Sequence, residues 1–286
     1  MRLVHPRQHH QLQPQAEAGG GAVHLSAEGV TRRFAKSGGG ELHALGPVDL
    51  KLWRGEFFSI IGPSGCGKSS LLDILAGLAA PSAGTIRFEG ETVASGVTPD
   101  GIGMVFQEDA SFPWLSVADN VGFGLKRAGV PAAEARARVA HALAVMGLTD
   151  FASAYPAQLS GGMRQRVCIA RTLVTRPRLI LLDEPFGALD AQTRLIMGEQ
   201  LLDLWRETGA TVLLVTHALD EAAMLSDRIG VMSARPGRIL QVVPTGWPRE
   251  RDSAVASSPR FGEITAALWN VLREESLKAL CPTSKG

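Results

Sequence analysis

One stretch does most to fix how this chain folds. Gly62-Pro63-Ser64-Gly65-Cys66-Gly67-Lys68-Ser69 fits the pattern G-x-x-x-x-G-K-[ST] at every fixed position. A short apolar run, Glu56 to Ile61, leads directly into it. Ser69 to Leu78 then reads as a helix, closed by Gly77 and stopped before Pro81. Strand, glycine turn and helix in that order aim successive backbone N–H groups at phosphate oxygens from a helix N-terminus. Lys68 adds a point charge toward the β- and γ-phosphates of a nucleoside triphosphate. The Ser69 hydroxyl is placed to ligate Mg²⁺.

The rest of the chain surrounds this turn with more strands. Val23 to Val30 and Val48 to Trp53 alternate apolar with polar, which suits antiparallel strands with one solvated face. Ser37-Gly38-Gly39-Gly40 is a loop between them. Thr85 to Phe88 and Ile102 to Phe106 are further strands. Beyond Gln107 the pattern turns helical: Pro131 opens a helix over Ala132 to Met146, ended by Gly147, and Ser160 caps another over Gly162 to Val174. Strands return at Leu179 to Asp183, Thr211 to Thr216 and Arg228 to Met232, with a helix over Ala191 to Glu207 between the first two. The expected organisation is an α/β domain over 23–246 with a helical insert at about 108–175. Residues 1–22, rich in Gln and His, read as a disordered tail. Residues 247–286 read as an appendage carrying one amphipathic helix, Phe261 to Leu280.

Several polar residues stand where an α/β sheet presents ligands, at strand C-termini. Leu179-Ile180-Leu181-Leu182-Asp183-Glu184 is a buried strand ending in two acids, and neighbouring carboxylates there need a cation to be tolerated. Standing alone, the pair would read as ordinary solvated acids; beside a phosphate loop of the P-loop ATPase kind, Asp183 is expected to bind Mg²⁺ through water. Glu184 is assigned as the base that polarises the attacking water. His217 ends the strand Thr211 to Thr216; a lone histidine is usually structural or exposed, but this position favours a γ-phosphate contact. Gln107 also follows a strand; local sequence leaves open a plain polar strand cap. Phe34, just before a loop, suits adenine stacking or an ordinary core position. Leu159-Ser160-Gly161-Gly162-Met163 is a second glycine turn at a helix start, either a simple capped turn or a second anion site. One triphosphate hardly needs two such sites from one chain, so a head-to-tail pair, each chain completing the other's site, would account for both.

Composition narrows the function classes. The 286 residues are 45% hydrophobic and 20% charged, with a net charge of +1. That near-neutral balance gives no bulk attraction to nucleic acid or acidic lipid. Cys66, Cys168 and Cys281 show neither metal-ligand nor disulfide-framework spacing and suit a reducing compartment. No apolar run approaches the roughly 20 residues that span a bilayer, and the N-terminus lacks an apolar signal core. Work at a membrane would require another chain to hold this one there.

On these residues the chain resembles the ATPases of ATP-binding cassette (ABC) transporters over about Leu25 to Leu240. Gly62 to Ser69 matches the Walker A loop, Gln107 the Q-loop glutamine, Leu159 to Met163 the signature, and Leu179 to Glu184 Walker B. Ala188-Leu189-Asp190 matches the D-loop, His217 the switch histidine and Phe34 the adenine-stacking aromatic. Finer stretches are similar to the nitrate/sulfonate/taurine importer ATPases: Val105 to Ala110, Pro113-Trp114-Leu115, Leu159 to Arg166, Leu182 to Arg194 and Val231 to Ile239. Two positions depart from the commoner pattern, Met163 in place of Gln and Ser70 in place of Thr. The resemblance implies an α/β cassette with a RecA-like core, an antiparallel β subdomain and a helical subdomain. It implies ATP held by Phe34, Gly62, Pro63, Ser64, Gly65, Cys66, Gly67, Lys68, Ser69, Ser70 and Gln107, and across a dimer by Ser160, Gly161, Gly162 and Asp190. Mg²⁺ falls to Ser69, Gln107 and Asp183, and catalysis to Glu184, His217 and Lys68. The implied partners are a second copy, transmembrane permease subunits and, indirectly, a solute-binding protein. The implied place is the cytoplasmic face of the inner membrane, as a peripheral subunit. A groove near Gln107, including Glu108, Asp109 and Trp114, would receive a permease helix. The same core could serve an exporter, or a non-transport ATPase acting on nucleic acid or ribosomes. A single cassette and a chain that is not basic argue against the last.

Overall fold

Two sheets share one interior. The computed structural model describes residues 21–187 and 189–280. Most of the N-terminal tail, Ala188 and Cys281 therefore lie outside the described residues.

The chain opens with a long hairpin, β1 (Val23–Ala35) and β2 (Glu41–Trp53). β3 (Phe57–Ile61) runs into the phosphate turn and α1 (Lys68–Leu75) leaves it. β4 (Ala83–Phe88) and β5 (Glu91–Thr92) return to the hairpin, and β6 (Ile102–Val105) starts the approach to the helices. Then come α2 (Val117–Arg127), α3 (Ala132–Val145) and α4 (Gly161–Leu173). The chain continues through β7 (Leu179–Asp183), α5 (Ala191–Thr208), β8 (Thr211–Thr216), α6 (Leu219–Leu225), β9 (Arg228–Met232) and β10 (Ile239–Pro244). α7 (Pro259–Leu280) is the last helix. Among the described residues no helix is long and apolar enough to cross a membrane.

The first sheet is antiparallel, in the order β2-β1-β4-β5. The second runs β10-β9-β3-β8-β7-β6 and is parallel except where β10 pairs with β9. Every residue of β3, β7 and β8 is buried, as expected for parallel strands covered on both faces. The period of two divides them cleanly. Ile180, Leu182, Val212 and Leu214 pack with α2, α4 and α5 on one side. Leu179, Leu181, Leu213 and Val215 pack with α1 and the first sheet on the other. A third cluster joins Ile61 and Val231 to α6 and α7 through Ile264, Leu268 and Leu272.

The structure departs from the sequence expectations where the local pattern is broken. β1 and β2 each run 13 residues, well past Val30 and well before Val48. Register shifts around Ala27, Val30 and Arg32 interrupt the alternation that would reveal those extensions. α1 stops at Leu75, three residues early, because Gly77 takes a left-handed φ of 77°. α2 was legible only as part of a helical insert, since Gly122 and Gly124 dilute its pattern. The short α6 and the edge strand β10, ending in Pro244, give little periodicity to read.

Candidate nucleotide site

Register explains why distant residues meet. Ile61 pairs with Thr216, Asp183 with Val215, and Val105 with Leu182. The chain therefore leaves β3, β8, β7 and β6 at nearly one level. Gly62, His217, Glu184 and Gln107 emerge side by side on the carboxyl edge, where open α/β sheets bind ligands.

The phosphate turn sits at the centre. Gly67 has a φ of 107°, and a Cβ there would lie 2.7 Å from Leu45 Cδ2, so only glycine fits. Lys68 is buried, and its Nζ donates to Gly62 O at 2.9 Å and Pro63 O at 3.1 Å. The lysine is thus folded over its own loop, with its charge at the loop's concave side. Cys66 is buried and burial pushes its thiol up, so its contribution is packing rather than reactivity. A cleft of about 570 Å³ opens over the turn. Phe34, Ser64, Gly65, Gly67, Lys68, Ser69, Ser70, Gln107, Glu184 and His217 line it. The β1–β2 hairpin brings Phe34 there opposite Leu42, and the residue is 40% exposed.

The two acids differ sharply. Asp183 is buried beneath the turn. Burial pushes its carboxyl up, opposed by a hydrogen bond from the Ser69 hydroxyl; the Glu184 and Asp73 charges push it further. Its Oδ1 is buried with no hydrogen-bond partner. Glu184 is more open and has a φ of 45°, a strained left-handed backbone for a residue with a side chain. Its Oε2 takes Gln107 Nε2 at 3.3 Å and His217 Nδ1 at 3.1 Å. One carboxylate oxygen is therefore the hub of a Gln–Glu–His cluster. An acceptor so placed can receive a proton from a water, with the histidine fixing its orientation.

Not every expected residue lines this cleft. Ser160 caps α4, its Oγ accepting from Met163 N at 3.3 Å, and Gly161 and Gly162 form the first turn. None of the three is among the residues lining the cleft. Asp190 caps α5, accepting from Gln192 N at 3.1 Å and Thr193 N at 2.9 Å. The Thr193 hydroxyl donates to its other carboxylate oxygen at 2.6 Å and does most to hold that carboxyl below the usual range.

Two residues escaped the sequence reading. Gln165, on α4, is buried and lines a smaller neighbouring recess with Gln107, Glu184 and His217. Arg235 lines the main cleft and donates to Gly65 O. Neither belongs to a contiguous motif around the phosphate turn; only the fold brings them in.

A second concavity lies away from this edge. A groove of about 1000 Å³ runs between α2 and α3, lined by Trp114, Phe123, Lys126, Arg136, Val139 and Leu143 among others. Trp114 is 70% exposed and stacks near Phe112, with ring centroids 5.6 Å apart. Asp109 is exposed and pairs with Arg164 Nε at 2.7 Å.

A phosphate turn, a strand-end acid pair and a histidine on the carboxyl edge of a parallel sheet define a P-loop ATPase. The family model described as "ABC transporter" matches residues 45–187. A putative ATP-binding protein of Brucella abortus is 47% identical over 248 residues, covering 87% of this chain and 93% of that protein. A taurine import ATP-binding protein, TauB, of Roseobacter denitrificans is 47% identical over 259 residues, covering 87% and 96%. Among solved structures, the ATP-binding cassette MJ0796, a dimer in a post-hydrolysis state bound to ADP and Pi, superposes with a TM-score of 0.70. It is 34% identical, covering 77% of this chain and 98% of that one. The chain belongs to the ABC transporter family, as an ATP-hydrolysing cassette.

Proposed function

We propose that this chain energises uptake of a small solute of the nitrate, sulfonate or taurine type, working as a head-to-tail pair beneath a membrane-spanning permease. The observation that carries this reading is its likeness to a taurine import protein over nearly the whole of that protein's length. The groove beside Trp114 supports a permease contact: an exposed aromatic in an apolar-lined trough suits an inserted helix. Membrane attachment would then run through the permease, at the cytoplasmic face. A solute-binding protein would deliver the cargo on the far side.

In this reading the cleft holds ATP. Phe34 stacks on the base, and the turn's N–H groups and Lys68 take the phosphates. Ser69, Asp183 and Gln107 would hold Mg²⁺. The fit rests on Asp183, whose buried Oδ1 lacks a partner beside the Ser69 hydroxyl, an arrangement that favours a cation. When bound, Mg²⁺ supplies positive charge to the phosphate oxygens. Glu184 accepts the proton of the attacking water, and His217 steadies that carboxylate through its 3.1 Å contact. Ser160, Gly161 and Gly162 would act on the nucleotide held by the other copy, with Asp190 beside them. The MJ0796 dimer supports that pairing.

The test is to co-purify the chain with its permease and binding protein, then screen the binding protein for thermal stabilisation by small solutes. Taurine, alkanesulfonates or nitrate should raise its Tm and stimulate ATPase activity in the reconstituted complex. Stimulation only by a solute moving outward, or by nucleic acid, would replace the importer reading.

A further inference from the structure

We propose that Arg235 sets nucleotide affinity, and that the C-terminal helix α7 holds it to that task through Glu275. The proposal rests on reading Gly62 to Ser69 as the nucleotide site.

The segment Ser233 to Gly237 joins β9 to β10 and packs directly against the phosphate turn. Arg235 donates from Nε at 3.1 Å and from Nη2 at 3.0 Å to Gly65 O. Gly237 lies against the same loop: a Cβ there would be 2.1 Å from Cys66 O. Its N–H donates to Ala44 O at 3.0 Å, and its carbonyl accepts from Gly46 N at 3.0 Å. Ser233 braces the turn from within, its Oγ donating to Ala234 O and Pro236 O.

The other side of this turn is held by α7. Glu275 is buried, and one carboxylate oxygen accepts from Ala234 N at 2.8 Å. The other takes Lys278 Nζ, three residues on. The helix itself is anchored by Ile264, Leu268 and Leu272 against Ala222, Ala223 and Val231. A continuous path therefore runs from α7 through Ala234 to Arg235 and on to Gly65.

The path has a chemical consequence. A peptide unit is planar, so a Gly65 carbonyl turned toward Arg235 points the Cys66 N–H the opposite way, into the loop, where it donates to Pro63 O at 3.3 Å and closes the turn. Arg235 also lines the cleft with Phe34 and Ser64, so its guanidinium places a permanent positive charge beside a polyanion. The side chain is exposed, so its hydrogen bonds add little to folding, and its loss should leave the fold intact.

The test measures Mg·ATP affinity by calorimetry, and kcat and KM, on the full chain. Arg235→Ala should raise Kd and KM about tenfold, the loss of one charge-assisted contact, with kcat changed less than about twofold. Arg235→Lys should recover part of the affinity, keeping the charge but not the two-pronged grip. Glu275→Ala should weaken affinity in the same direction by acting through Arg235. Its effect should vanish in the Arg235→Ala background, a non-additivity that a merely structural role would not produce. Glu275→Asp, one methylene short of Ala234, gives the same reading if Glu275→Ala fails to fold. Lys278→Ala, which touches only the carboxylate, should stay at the parental value. Parental affinity in Arg235→Ala, alongside loss of binding in Lys68→Ala, would overturn the proposal and leave the nucleotide site standing. Full additivity of the two changes would overturn the role of α7. Parental affinity in Lys68→Ala would instead overturn the nucleotide site itself.

Discussion

Two glycine turns open helices in this chain, and they are built differently. At the start of α1, the turn is ringed by converging side chains: Lys68, Gln107, Glu184, His217, Phe34 and Arg235. At the start of α4, Ser160 caps the helix and Gly161 and Gly162 follow, all three outside that cleft. A Cβ at Gly161 would meet nothing closer than Arg164 Nη2 at 3.9 Å, so its outer side is open. The same local device, a bare helix N-terminus, thus occurs once inside a complete pocket and once as a free edge. Helix N-termini draw anions; the second one makes sense as half of a site whose other half is a different molecule.

The largest expected effect separates chemistry from binding at the first turn. Glu184→Gln keeps the hydrogen bonds' geometry but removes the proton acceptor. Turnover should fall about 10²- to 10⁴-fold while ATP binding persists, as read by single-turnover hydrolysis and calorimetry. Near-parental hydrolysis would move the base elsewhere.

Behind this cluster sits Glu221, which accepts from Thr216 Oγ1 at 2.6 Å, one residue before His217. Burial pushes its carboxyl up to about 7, with the Thr216 hydroxyl drawing it partway back. Its proton is therefore held more tightly folded than unfolded, where the ordinary value is 4.5. The stability this provides is complete below about 4.5 and is lost as pH rises through about 7. Glu221→Gln should flatten that decline, seen as a smaller drop in urea midpoint between acidic and mildly alkaline buffer. An unchanged pH slope would place the titration on another group.

The Trp114 groove tests the permease contact. Trp114→Ala combined with Glu108→Lys should cut recovery with co-expressed permease in the membrane fraction by about tenfold, the loss typical of a truncated anchor. Nucleotide binding should survive. Undiminished recovery would move the docking surface elsewhere.

The smallest effect sharpens the contrast between the turns. Ser160→Ala removes a cap worth about 1 kcal/mol of stability. ATP affinity of the separated chain should not change, because Ser160 lies outside the chain's own cleft. Turnover should fall nonetheless. Weakened binding by the separated chain would put α4 in the same site as α1.

What could be read beforehand follows the same division. Gly62 to Ser69 and Asp183-Glu184 were legible because their chemistry lies in contiguous residues next to clear strands. The register that makes Glu184 a hub for Gln107 and His217 was not, since it depends on pairing across β6, β7 and β8. Phe34 was placed near a loop, but its exposure in the cleft follows from the bulged extension of β1, which breaks alternation. Arg235 was invisible as a site residue: its Ala-Arg-Pro-Gly turn meets the phosphate loop only after β9 has paired with β3. Asp109 is expected in the docking groove with Glu108 and Trp114; it is exposed and pairs with Arg164 on α4, a contact that only the fold reveals.

The most direct measurement joins the two turns. Ser64 is exposed on the phosphate loop, and Gly161 has room for a side chain. Ser64→Cys and Gly161→Cys, together in a Cys281→Ser background, provide the reporter. Cys66 and Cys168 are buried with their thiols pushed up by that burial, so they should stay silent. With Glu184→Gln added to trap bound ATP, oxidation should give a disulfide between two chains, forming with ATP and not with ADP. Disulfides confined within single chains, or forming equally without nucleotide, would contradict a site shared between two copies.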